Sequence, residues 1–167
     1  MKVILMKIME ELNRNNDVTT IVFEGAGKAF IAGADVKFFV DKLKQDSFED
    51  IFTFTQAGHD LLNSIEKSNK TTIALTTGIT YGGGLEFALS CDYRIGSKKT
   101  EFRFPETGIG IYPGLGGTQR MSRMVGVEIA RWAILAGNRI DGALSKPVSY
   151  THLRAHETPE HRVCRLL

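Results

Sequence analysis

Gly82-Gly83-Gly84-Leu85-Glu86 and Phe104-Pro105-Glu106-Thr107-Gly108-Ile109-Gly110 are the two stretches that decide the fold of this 167-residue chain. Each stretch sets one glutamate in glycine-rich sequence, and the two glutamates are twenty positions apart. Two carboxylates held on closely packed backbone can share a water molecule and divide the roles of acid and base. Neighbouring glycines also let backbone N–H groups approach a ligand on which negative charge develops. The pattern therefore predicts a catalytic site built on Glu86 and Glu106.

Runs of β-branched residues alternate with amphipathic segments on both sides of these stretches. The alternation predicts an α/β domain, with functional sites at the loop ends. A loop over residues 25–35 should lead into a helix that begins at Val36 and is capped by Asp35. The remaining patterns predict strands at 19–24, 71–76, 92–96 and 101–104, and helices at 1–16, 48–65, 83–91, 116–124 and 127–135.

Composition describes an ordinary globular protein. Hydrophobic residues make up 43% of the chain, charged residues 24%, and the net charge is +2. This balance gives no reason to expect a nucleic acid or a membrane surface as the main partner. Cys91 and Cys164 do not form a disulfide framework, and Cys91 lies in an apolar run typical of a packed thiol. We expect a cytoplasmic protein without a metal.

Residues 78–120 resemble the core of the enoyl-CoA hydratase (crotonase) superfamily. A separate segment, Lys28-Ala29-Phe30-Ile31-Ala32-Gly33-Ala34-Asp35, resembles the first oxyanion-hole segment of that family. The resemblance extends over about residues 1–146. It implies a fold of stacked ββα turns that form a superhelical spiral, with the family's C-terminal helical subdomain missing. It also implies an enzyme that adds water to 2-trans-enoyl-CoA, in fatty-acid or related acyl-CoA metabolism.

The resemblance also assigns the catalytic roles. The backbone N–H groups of Ala34 and Gly83 would donate to the thioester oxygen. Glu86 would act as the base towards water, and Glu106, as a neutral acid, would deliver a proton to the α-carbon. Coenzyme A would be part of the substrate, so no separate cofactor is expected.

The remaining site residues concern substrate binding. The backbone at Ala32, Asp35 and Val36 would border the adenine of coenzyme A. The segment 114–120 would place Glu106 and line the acyl pocket at Gly114. Tyr112 replaces an aliphatic residue that is common in the family, which would alter the fit of the acyl chain. Relatives form trimers and hexamers, which implies a homotrimeric or hexameric parent protein.

Several alternatives stay open at this point. The loop at residues 25–30 follows a strand but lacks the glycine, serine or threonine positions of dinucleotide and phosphate-binding loops. Within the family, the rivals are an enoyl-CoA isomerase and the hydratase part of a fusion with a 3-hydroxyacyl-CoA dehydrogenase. Isomerases commonly lack the residue that matches Glu86, so its presence favours hydration. Outside catalysis, the rivals are an RNA-binding relative, with Lys37, Lys42 and Lys44 as a modest basic run, and an inactive truncated fragment.

The character of the sequence changes after residue 147. His152 and His156 share a helical spacing that a metal site could use, and residues 156–161 approach a zinc-protease motif that Pro159 would break. The segment instead resembles a translated sequencing adapter, so we expect residues 1–147 to be a partial core and residues 148–167 to be an artefact. Met1 falls where the family is already inside its first helix, which predicts truncation at both ends.

Overall fold

The computed structural model describes residues 2–142 and 162–165 of the chain. Its elements are, in chain order, α1 (Lys2–Arg14), β1 (Thr20–Glu24), β2 (Ala29–Ile31), α2 (Val36–Lys44), α3 (Phe48–Glu66), β3 (Thr71–Thr76), β4 (Ile79–Tyr81), α4 (Gly83–Ser90), β5 (Tyr93–Gly96), β6 (Glu101–Arg103), a 3-10 helix (Glu106–Ile109), α5 (Gly117–Val125), α6 (Val127–Leu135), β7 (Ile140–Asp141) and β8 (Arg162–Arg165).

The strands form two sheets that are filled alternately along the chain. One sheet has the order β1-β3-β5-β8 and the other has the order β2-β4-β6-β7. The first three strands of each sheet are parallel, while β8 and β7 join antiparallel to β5 and β6. Each pair of successive strands thus adds one strand to each sheet before the chain turns into helix. This is the repeated ββα arrangement that the sequence predicts.

Helix α4 lies at the centre of the described fold. All its residues from Gly84 to Ser90 are buried. Phe87 and Ala88 pack into one apolar cluster, and Leu85 and Leu89 pack into a second. A helix that is apolar all round is held in the interior of a protein. Its one buried carboxylate, Glu86, is therefore carried on the most enclosed element of the described residues.

Most predicted elements are confirmed, but two short strands were missed. The loop predicted at 25–35 contains β2, and the turn predicted after Gly78 contains β4 before helix α4 begins. A strand of three residues is too short to show an alternating pattern, and these two exist because they pair with each other. Asp35 caps α2 as expected, since its Oδ1 accepts a hydrogen bond from the Lys37 N–H at 3.0 Å.

The predicted boundary at residue 147 lies outside the described residues. Of the segment 148–167, the structure describes only the backbone of β8, so its origin as an adapter stays a prediction. Among the described residues, no helix combines the length and the apolar character needed to span a bilayer.

Candidate active site

Glycines fix the start of α4 against neighbouring backbone. Gly82 has φ of +51°, and its N–H donates to the Arg103 carbonyl of β6 at 2.9 Å. A Cβ at Gly84 would overlap the backbone carbonyl of Ile31 at the end of β2. Only glycine at these positions lets the helix begin so close to both strands.

The two predicted oxyanion segments meet at one edge of a sheet. β2 and β4 are parallel neighbours, so the segments that follow Ile31 and Tyr81 leave the sheet at the same edge. A Cβ at Gly33 would lie 3.6 Å from the Tyr81 carbonyl oxygen, which shows how near the two segments run. Ala34 follows one strand and is exposed, while Gly83 follows the other and is half-buried. The Gly83 N–H also belongs to the first turn of α4, where helix N–H groups have no intrahelical acceptor.

Glu86 is held by backbone donors. Its side chain is 2% exposed, and its Oε1 accepts hydrogen bonds from the N–H groups of Leu115 at 2.7 Å and Gly117 at 2.8 Å. Burial raises the pKa of Glu86 above its ordinary value, while the Gly117 and Leu115 N–H groups and the nearby His59 and Arg120 side chains oppose that rise. Each of these opposing groups stabilises the ionised form.

Glu106 has a drier environment. It begins the 3-10 helix and is 8% exposed. Its Oε2 is buried and accepts no hydrogen bond from any residue that the structure describes. Burial raises the pKa of Glu106 to about 7, its own backbone N–H opposes the rise, and the charge of Glu86 adds to it. A carboxyl of this kind keeps its proton near neutral pH more readily than an exposed one.

The pair is therefore asymmetric. The two carboxyls are close enough for the charge of Glu86 to act on Glu106, yet the described backbone donors serve one oxygen of Glu86. Titratable groups whose surroundings push them apart are suited to separate acid and base roles. The arrangement can remove a proton at Glu86 and supply one from Glu106.

The other predicted binding residues lie at the surface. Ala32, Asp35 and Val36 are exposed, and the Asp35 carboxylate caps α2. Tyr112 is 72% exposed, and Gly114 is half-buried beside it in sequence. These residues neighbour the site without belonging to its buried centre.

One expectation about the site needs correction, and two residues were missed. The segment 114–120 was expected to place Glu106, but its N–H groups contact Glu86 instead. Arg120 and His59 both act electrostatically on Glu86, and neither was predicted to do so. His59 lies on the long helix α3 at the helical spacing of Asn63 and Glu66, the two residues that Arg120 contacts. That shared helix face was the only available signal.

No metal centre is apparent in the part of the chain that the structure describes. Within residues 2–142 and 162–165, no group of three or more histidine, cysteine, aspartate or glutamate side chains is arranged to hold a metal ion. The predicted pairing of His152 and His156 falls outside the described residues.

Comparison with known proteins identifies close similarities. The family model for enoyl-CoA hydratase/isomerase matches residues 1–166. The chain is 37% identical over 134 residues to the short-chain-enoyl-CoA hydratase of Clostridium acetobutylicum, covering 80% of this chain and 50% of that protein. It is also 37% identical over 123 residues to the fatty acid oxidation complex subunit alpha of Acinetobacter baumannii, covering 73% of this chain and 17% of that one.

Solved structures agree with the sequence comparison. The crystal structure of an enoyl-CoA hydratase from Bacillus anthracis superposes with a TM-score of 0.81 at 31% identity, covering 88% of this chain and 56% of that chain. This likeness confirms the predicted fold. The chain spans about half the length of the curated relatives it matches.

Proposed function

Because the chain belongs to the enoyl-CoA hydratase/isomerase family, we propose that it forms the catalytic core of an enoyl-CoA hydratase. The reaction would add water across the double bond of a 2-trans-enoyl-CoA thioester to give the 3-hydroxyacyl-CoA. The observation that carries the proposal is the pair of buried, unequal carboxyls, Glu86 and Glu106, beside the N-terminus of α4.

The first requirement is to stabilise charge on the thioester. Conjugation makes the β-carbon electrophilic, and attack by water moves negative charge onto the thioester oxygen. In the proposal, the Ala34 and Gly83 N–H groups donate to that oxygen. A preorganised donor of this kind contributes about 3 kcal/mol to transition-state stabilisation. The positive end of the α4 dipole adds to this, because Gly83 begins that helix.

The second requirement is to move two protons. Glu86, which the Leu115 and Gly117 N–H groups favour as a carboxylate, takes a proton from the water as its oxygen bonds to the β-carbon. Glu106, which burial favours in the neutral form, gives its proton to the α-carbon. Glu86 is then protonated and Glu106 ionised, and proton exchange with water restores the starting state. Hydration uses both carboxyls, which is why we propose it over isomerisation.

The substrate proposed is an acyl-CoA thioester, with coenzyme A as part of the substrate. The trimeric or hexameric assembly, the cytoplasmic location and the absence of a nucleic-acid partner stay predictions.

The experiment uses the 167-residue chain with crotonyl-CoA as the probe. We expect hydration, measured as loss of the conjugated enoyl absorbance, and a loss of about 10²- to 10⁴-fold in Glu86→Gln and in Glu106→Gln. Calorimetric titration should show that both variants still bind crotonyl-CoA. Full hydration by either variant would remove that glutamate from the mechanism.

Two further outcomes would count against the proposal as a whole. One is a chain that folds but neither binds nor hydrates crotonyl-CoA. The other is a chain that leaves crotonyl-CoA unchanged and shifts the double bond of a 3-enoyl-CoA, which would identify an isomerase. Glu128→Gln is the matched control, because Glu128 is 89% exposed on α6 and should leave hydration unchanged.

A further inference from the structure

A buried arginine joins two helices beside Glu86. Arg120 lies in the first half of α5 and is 8% exposed. Its Nε and Nη2 donate to Glu66 Oε2 of α3 at 3.1 and 2.8 Å, and Nη2 also donates to Asn63 Oδ1 at 3.1 Å. Its Nη1 donates to the Leu115 carbonyl at 2.9 Å. The guanidinium thus uses three of its nitrogens to tie α3 to the turn before α5.

That turn also holds Glu86. Leu115 donates its N–H to Glu86 Oε1 and offers its carbonyl to Arg120, so one residue connects both side chains. Gly116 has φ of +95°, and a Cβ there would lie 2.5 Å from Arg120 Nη1, so the guanidinium crosses the turn in close contact. The Arg120 N–H closes the same turn by donating to the Gly116 carbonyl at 2.9 Å.

The charged surroundings of both side chains are limited. Glu86 faces His59 from α3, Arg120 from α5, and Glu106 from the 3-10 helix. Arg120 faces Glu66 from α3, with Glu86 as its other acidic neighbour. Glu66 is 48% exposed, so water screens its pairing with Arg120 and the pair adds little to the stability of the fold. Stability alone does not account for burying this arginine.

We propose that Arg120 is a positioning residue: anchored on Asn63 and Glu66, it holds the turn at residues 114–117 so that its N–H groups stay directed at the Glu86 carboxylate. The inference rests on the proposed function in taking Glu86 as the base. Its geometric part concerns only the turn and the carboxylate. A planar fork is required because the guanidinium must reach the turn and α3 together, which a lysine ammonium cannot do in the same way.

The direct test is a titration of Glu86 that needs no turnover. Carbon-13 NMR of labelled glutamate carboxyls would follow the pKa of Glu86, with the signal assigned through Glu86→Gln. In Arg120→Met the turn loses its anchor and Glu86 loses a nearby cation. Both changes disfavour the ionised form, so the pKa of Glu86 should rise by about one pH unit. Arg120→Lys should recover only part of that change, because it restores the charge but not the fork.

Matched variants separate positioning from folding. Arg123→Met removes an exposed arginine from the same helix and should leave the Glu86 titration unchanged. Glu66→Gln should raise the pKa of Glu86 by less than Arg120→Met, because it weakens the anchor and leaves the cation in place. Should Arg120→Met fail to fold by circular dichroism, Arg120→Lys and Glu66→Gln carry the test.

Kinetics with crotonyl-CoA provide the second readout. Arg120→Met should lower kcat by about 10²-fold with KM nearly unchanged, because a misplaced base affects the chemical step. The acid limb of the pH–rate profile should move upward together with the NMR titration. A Glu86 titration that is the same in wild type and in folded Arg120 and Glu66 variants would overturn the inference. A wild-type chain that shows the titration shift but hydrates nothing would overturn the proposed function alone.

Discussion

The Glu106→Gln substitution should make the fold more stable at neutral pH while removing activity. The wild-type carboxyl is 8% exposed, and one of its oxygens accepts no hydrogen bond from the described residues. Ionising such a group in the folded state is unfavourable compared with ionising it in the unfolded chain. An amide of similar shape carries no charge at any pH and avoids that cost.

The magnitude follows from the two pKa values. Burial raises the pKa of Glu106 from 4.5 to about 7. The folded state therefore binds more protons than the unfolded chain between those values, and wild-type stability falls as the pH rises through this window. Above about pH 7 the full penalty is present, about 3 kcal/mol at ~1.4 kcal/mol per pH unit. Below 4.5 both states are protonated and the penalty is absent.

The assay is urea unfolding of wild type and Glu106→Gln from about pH 4 to pH 8. The quantity of interest is the change in their stability difference with pH, because effects of the amide on packing cancel in that comparison. We expect the variant to gain about 3 kcal/mol relative to wild type between the two ends. Glu128→Gln, at an exposed glutamate, should show almost no pH-dependent difference. A Glu106→Gln difference that stays flat, or that reverses sign, would refute the argument that burial sets the protonation state.

Two further predictions concern single side chains. Gly117→Ala would place a Cβ 2.8 Å from Glu86 Cγ, so crotonyl-CoA hydration should fall by about 100-fold; Gly108→Ala, where a Cβ meets nothing within 4 Å, is the control, and equal activities would contradict the expectation. Burial raises the pKa of the Cys91 thiol to about 12, so in a Cys164→Ser background the folded chain should not react with a thiol reagent at pH 8 until urea is added. Rapid labelling of the folded chain would show that Cys91 is accessible.

The sequence predicted the long elements because each carries its own pattern. The run 71–76 alternates in burial along its length as β3, and the apolar surroundings of Glu86 mark a fully buried helix. The strands β2 and β4 carry no such pattern, since each has three residues and owes its existence to a partner distant in sequence. Local periodicity identifies elements that bury their own face, and it cannot detect short strands that form through pairing.

The same distinction applies to the site. Glu86 and Glu106 stood out because glycine-rich backbone surrounds each of them in sequence. The role of Arg120 did not, because its partners Asn63 and Glu66 are more than fifty positions away. The assignment of residues 114–120 to Glu106 was wrong for a related reason. Proximity in sequence favoured Glu106, whereas the turn folds back onto the buried helix that carries Glu86.

Glycine frames serve the two carboxyls in different ways. A Cβ at Gly82 would lie 2.8 Å from Glu106 Oε1, and a Cβ at Gly117 would lie 2.9 Å from Glu86 Oε1, so each acid has one glycine that leaves room for it. Gly117 also donates its N–H to the carboxyl it makes room for. The Gly82 N–H instead donates to the backbone of Arg103, which leaves Glu106 without that support. Since both acids are buried to a similar degree, this difference in backbone donors is what separates a base from an acid in the proposed mechanism.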